Sequence, residues 1–117
     1  MEYLYHINPI LRQEQPIIIY GIGEEERSIF SALLQQNIYV TAFSLKEGEE
    51  SNIKKIFNKR VISFQELKKD FLNAYVVIVG THASSSIKVL QNEGIENIVI
   101  ENITLKDKRI VFLGDWR

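Results

Sequence analysis

Two glycines and three carboxylates stand together in Gly21-Ile-Gly-Glu-Glu-Glu26. A Gly-x-Gly turn permits a tight bend and brings the backbone close to a ligand. If a helix follows, its first amides point outward, where an anion can accept them. That is the chemistry of phosphate binding. In the longer pattern Gly-x-Gly-x-x-Gly the third glycine would stand where this chain has Glu26. Carboxylates in a first helical turn stabilise the helix by about 0.3–1 kcal/mol each, but they also repel phosphate. The turn has two readings: an anion cradle, or a plain strand-to-helix bend whose glutamates satisfy the helix dipole.

A second cluster is Gly80-Thr-His-Ala-Ser-Ser-Ser86. Thr81, His82 and Ser84 bring hydroxyls and an imidazole to a helix start, where they would hold a phosphate or a sugar. The alternative is that Thr81 or Ser84 merely caps the helix. No carboxylate is placed by sequence to orient His82, so it is not assigned as a general base. Ser44 falls about 20 residues after the glycines, where a dinucleotide site usually carries Asp or Glu for the ribose hydroxyls. A serine donates one hydrogen bond there and cannot make the bidentate contact. The candidate binding set is Gly21, Gly23, Ser44, Thr81, His82 and Ser84.

No catalytic residue and no metal site are expected. The two histidines, His6 and His82, are far apart, and the chain has no cysteine. Ser84–Ser86 lies outside any Gly-x-Ser-x-Gly elbow. Glu47-Gly-Glu-Glu50 reads as a solvated charge run.

The elements that would position these residues follow from periodicity. Ile17–Tyr20 is a β-branched run without alternation, as in a parallel strand buried on both faces. From Glu25 the apolar positions Ile29, Phe30, Leu33 and Leu34 recur at helical spacing, with Asn37 suited to the left-handed stop. Ile38–Phe43 is the second strand. Ser44–Asn52 is loop, and Ile53, Ile56 and Phe57 suggest one or two helical turns. Val61-Ile62 is the third strand. Ser63-Phe-Gln-Glu66 has capping-box spacing and opens a helix over 64–72. Ala74–Val79 is the fourth strand, 83–93 a helix stopped by Gly94, and Ile98–Ile100 the fifth strand. Arg109–Leu113 offers a sixth strand, or a contact for a partner chain or further domain. Asn8-Pro9 opens a short helix ahead of Pro16.

Strands alternating with helices predict an α/β fold. The expectation is a three-layer Rossmann-like domain with a mainly parallel sheet of five or six strands, order 3-2-1-4-5, and helices on both faces. It spans residues 1–117 as one domain, with 1–15 as a lead-in and 104–117 as a tail that adds a strand or a contact. Ligands would bind beyond the carboxyl ends of the strands, where strand order reverses, between the loops 21–24 and 80–84.

Composition narrows the class. The chain has 117 residues, 45% hydrophobic and 25% charged, enough for a core without staples. A net charge of −1 gives no footprint for nucleic acid. Residues 1–15 carry Glu2, Arg12 and Glu14 and do not read as a signal peptide. The apolar runs at 16–20 and 74–79 are too short to span a bilayer. A cytoplasmic location is expected, with no membrane and no nucleic-acid partner. Tyr3, Tyr5 and Trp116 are candidates for packing or for an oligomer contact.

Four segments carry a resemblance: Ile17-Ile-Ile-Tyr-Gly-Ile-Gly23, Val61-Ile-Ser-Phe-Gln-Glu-Leu67, Tyr75-Val-Val-Ile-Val79 and Gly94-Ile-Glu-Asn-Ile98. Over roughly 16–103 the chain resembles the small Rossmann-like, NAD(P)-binding-fold domains of bacterial surface-polysaccharide biosynthesis. The resemblance implies a role beside nucleotide-sugars, with NAD(P) or a nucleotide-sugar as ligand and a homodimer or a fused or partner transferase as company. With Glu26 and Ser44 at two diagnostic positions, the expected function is a non-catalytic domain that binds or assembles. The alternatives are a divergent NAD- or nucleotide-sugar-dependent enzyme domain and a structural dimerisation module.

Overall fold

The computed structural model describes residues 15–80, 83–106 and 109–114. The expected N-terminal helix, Tyr3, Tyr5, Thr81, His82 and Trp116 lie outside the described residues. The chain is α/β, with one mixed sheet. The central strand β1 (Ile17–Tyr20) is buried at all four positions, which is why its sequence shows no alternation. It pairs in parallel with β2 (Ala42–Ser44) and with β5 (Tyr75–Val79). Outward on one side, β4 (Lys59–Ile62) runs parallel to β2, and β3 (Lys55–Ile56) closes the edge antiparallel to β4. On the other side β6 (Ile98–Lys106) is parallel to β5, and β7 (Arg109–Gly114) is antiparallel to β6.

Among the described residues the order is β3-β4-β2-β1-β5-β6-β7. This corrects the expected 3-2-1-4-5 order of a mainly parallel sheet of five or six strands: an antiparallel strand is added at each edge. At one edge, the helical turns expected around Ile53–Phe57 are replaced by a hairpin. Phe57 and Asn58 both take positive φ, 50° and 64°, as a two-residue hairpin turn requires. At the other edge, the apolar tail pairs with β6 of its own chain, from Glu101↔Gly114 to Lys106↔Arg109. The second strand is also shorter than expected. Ile38 and Val40 are buried but stand outside the ladder, and the Thr41 amide donates to the Ile17 carbonyl at 2.8 Å.

Helices cover both faces. α1 (Glu24–Gln35) lays Ile29, Phe30 and Leu33 on Ile17, Ile19, Phe43, Val77 and Val79. On the opposite face α2 (Phe64–Asp70) and α3 (Ala83–Asn92) bury Leu67 and Leu90 against Ile18, Ile62, Val76 and Ile78. Alternate residues of β1 and β5 thus serve opposite cores. The stop signals act as their residue types suggest: Asn37 has φ 61° after α1, and Gly94 has φ 83° after α3. Ser63 caps α2, its hydroxyl accepting from the Glu66 amide at 3.0 Å. The reciprocal half of the box is replaced by an ion pair, with Glu66 Oε2 at 2.7 Å from Arg60 Nη2. No helix among the described residues is long and apolar enough to cross a membrane.

Candidate functional site

The turn after β1 is built as the glycines predict. Gly21 takes φ +113°, a conformation that L side chains rarely adopt, and its amide donates to the Ser44 carbonyl at 2.7 Å. Gly23, in extended backbone, is the N-cap residue of α1 and offers no side-chain cap. The space above the turn is occupied by Glu26. A Cβ built on Gly23 would meet Glu26 Oε1 at 2.7 Å, and one built on Gly21 would meet Glu26 Oε2 and Lys46 Cε, each at 2.9 Å. Glu24 and Glu25 are exposed, whereas Glu26 is only 6% exposed. Lys46 Nζ lies 3.9 Å from Glu26 Oε2 and completes the cover. An anionic group of the chain itself therefore stands over the Gly-x-Gly turn.

Lys46 is positioned by its own loop. Its amide donates to Glu49 Oε1 at 2.9 Å, and the Glu49 amide donates back to the Lys46 carbonyl at 2.9 Å, around Gly48 at φ 78°. The run Glu47–Glu50, expected as plain solvated charge, thus contains a structured turn. The Glu47 amide donates to the Tyr20 hydroxyl at 3.0 Å. Burial raises the Tyr20 pKa above its ordinary 10.0. The Glu47 hydrogen bond works against that rise, and the Glu47 and Glu49 carboxylates add to it.

Beside Tyr20, at the carboxyl end of β1, a crevice of about 310 Å³ opens between this loop and α3. Its walls are Tyr20, Lys46, Glu47, Ser85, Ser86 and Val89. It offers one ammonium, one carboxylate and hydroxyls over a small apolar wall, a combination suited to a polar small molecule at the low end of ordinary pocket sizes.

The sequence-selected residues are only partly brought together. Gly21 and Ser44 share the backbone hydrogen bond given above. Ser44 is fully buried and donates its hydroxyl proton to the Leu45 carbonyl at 2.9 Å, so that donor is spent within the loop. Ser84 is exposed in the first turn of α3, inside the helix and not at its cap. Its neighbours Ser85 and Ser86 line the crevice instead.

Sequence reasoning missed Tyr20, Lys46 and Ser86 as crevice residues, and it missed Glu101. Glu101 is fully buried opposite Val79, at the carboxyl end of β5. By alternation with Val99, which belongs to the α1-side core, its side chain lies on the α1 face. A carboxylate inside the run Ile98-Val-Ile-Glu101 was the available signal. Among the described residues no group of three or more His, Cys, Asp or Glu is placed to hold a metal. Comparison with known protein families, with curated proteins and with solved structures gives no match.

Proposed function

We infer that the chain is a non-catalytic Rossmann-like domain that works by assembling with another protein, related by descent to nucleotide-binding domains of bacterial surface-polysaccharide biosynthesis. The observation that carries this reading is the Glu26 carboxylate over Gly21 and Gly23. A pyrophosphate seated on that turn would have to displace a buried carboxylate and the Lys46 beside it. Burying a second anion against the first is costly unless one of them leaves or is neutralised.

A second reading is supported by the crevice lined by Tyr20, Lys46 and Ser86. A nucleotide-sugar would enter there without using the turn, with its phosphate on Lys46.

Thermal unfolding of the full chain against millimolar NAD(H), NADP(H) and UDP-, GDP- and CDP-sugars separates the two. A ligand at about 100 times its dissociation constant adds about 2.7 kcal/mol, which moves the midpoint by several degrees. The assembly reading expects no shift with any of them. A shift with nucleotide-sugars that disappears in Lys46→Met establishes the crevice reading. A shift with NAD(H) in the wild-type chain overturns the exclusion argued from Glu26.

A further inference from the structure

A different surface lies on the α1 face, where a groove of about 640 Å³ runs between α1 and the β3–β4 hairpin. Leu34, Tyr39 and Phe57 line it and remain 46%, 65% and 53% exposed. The Phe57 ring stacks on Phe30, centroids 5.0 Å apart and planes 13° apart. Phe30 is itself buried and touches Phe43 of the core at 5.5 Å. The aromatic floor of the groove is therefore tied to the sheet and pre-organised, as hot-spot surfaces are. Phe57 occupies a left-handed turn position that Asn or Gly fills at lower cost, yet it holds a large apolar ring in water.

Charge defines what would cover this surface. Lys59 pairs with Ile56 across the hairpin, and Ile56 belongs to the α1-side core, so Lys59 faces the groove. Among the described residues no carboxylate lines the groove and Lys59 has no ion pair. An incoming acidic group would find one cation already placed beside an apolar floor.

We propose that this groove docks a short apolar segment of a partner protein that carries a carboxylate, its apolar side chains covering the Phe57–Phe30 stack and its carboxylate meeting Lys59. The proposal names the kind of partner for the assembly inferred above and rests on that reading. A second copy of this chain is the poorer occupant. Groove against groove would enclose two Lys59 ammoniums in an apolar interface with no carboxylate from either side.

The test pans a phage-displayed library of random short peptides on the full chain and titrates synthetic copies of the enriched sequences by fluorescence anisotropy. The expected peptides combine large apolar residues with Asp or Glu. Phe57→Asn should weaken them by about tenfold or more. Lys59→Glu should reverse the preference between an enriched peptide and its twin with Lys in place of the acid. If Phe57→Asn does not fold, Tyr39→Ser reads the same groove from outside the turn.

No enrichment, enriched peptides without an acid, or binding that survives both groove variants would overturn the proposal. So would a concentration-dependent dimer that Phe57→Asn dissolves, which would make a second copy the occupant. Peptide failure with no NAD(H) shift sinks the groove alone, whereas an NAD(H) shift sinks the reading beneath it.

Discussion

The Tyr20 hydroxyl accepts a hydrogen bond from the Glu47 amide at 3.0 Å across 27 residues of sequence. It fastens the end of the central strand to the loop that carries Lys46. The same ring packs against Phe64 at the start of α2, centroids 6.1 Å apart. One buried phenol thus braces the loop, the strand and the opposite helix layer, and forms a wall of the crevice.

Tyr20→Phe keeps the ring and removes that bond. The expected cost at neutral pH is about 0.5–1.5 kcal/mol, read from urea midpoints. The gap should depend on pH. The folded-state pKa lies above 10.0, so in the alkaline range the unfolded chain releases a proton that the folded chain still holds. Stability from this group is complete below about pH 10 and falls as pH rises toward the folded pKa. The wild-type advantage over Tyr20→Phe should shrink across that window. A gap that stays constant would show that the phenol does not titrate with unfolding.

The two glycines of the turn should respond differently to an added methyl group. At Gly21 the backbone itself, at φ +113°, resists a side chain. Gly21→Ala should therefore cost more than about 1 kcal/mol, with or without Glu26. At Gly23 the obstacle is the mobile end of Glu26. Gly23→Ala should cost no more than about 1 kcal/mol, and less again in a Glu26→Ala background. A double-mutant cycle by chemical denaturation measures both couplings. Because Glu26 stands over both glycines, both substitutions should couple to Glu26→Ala, and absence of coupling at both positions would contradict the placement of the carboxylate.

Ser63→Ala removes the cap of α2 and should destabilise the chain by about 1 kcal/mol. The Arg60–Glu66 pair is partly exposed and will not compensate. Amide exchange at Glu66, whose N–H bonds to Ser63, should rise in this variant, and unchanged exchange there would argue against the cap.

Phe57→Asn trades an aromatic stack worth about 0.5–1.5 kcal/mol for relief of left-handed strain of about 1–2 kcal/mol. The expected outcome is a thermal midpoint close to that of the wild type, despite the loss of a large aromatic side chain. A large fall would mean that the stack outweighs the strain.

Much of the fold was legible because burial on both faces leaves a plain record. The runs Ile17–Tyr20 and Tyr75–Val79 carry no alternation, and the structure buries nearly every position. Helix α1 was legible from Ile29, Phe30 and Leu33, and its end from Asn37. The hairpin was not. Ile53, Ile56 and Phe57 mimic helical spacing, and Phe57 is a poor advertisement for a left-handed turn even beside Asn58.

The site was legible only where backbone geometry dictates residue type. Gly21 and Gly23 announce the turn, and Glu26 could be seen to be out of place, but not to fill the space. Lys46 reaches Glu26 across 20 residues, through a loop turn fixed by Glu49 and Gly48, and no local pattern encodes that reach. Ser84 stands nearest the cap position that helix-start chemistry points to, whereas the crevice is lined by Ser85 and Ser86, one and two residues further along the same first turn and on another side of it.

The brevity of β3 has a bearing on colloidal behaviour. An edge of two residues, Lys55 and Ile56, presents too short a backbone ladder to template the addition of a foreign strand. Exposed Lys54 and Lys55 add charge repulsion at that rim. Fibrillar growth from this side would first have to melt the hairpin. Recognition there is left to side chains, so the chain can display an aromatic surface in water without that sheet edge becoming a seed for aggregation.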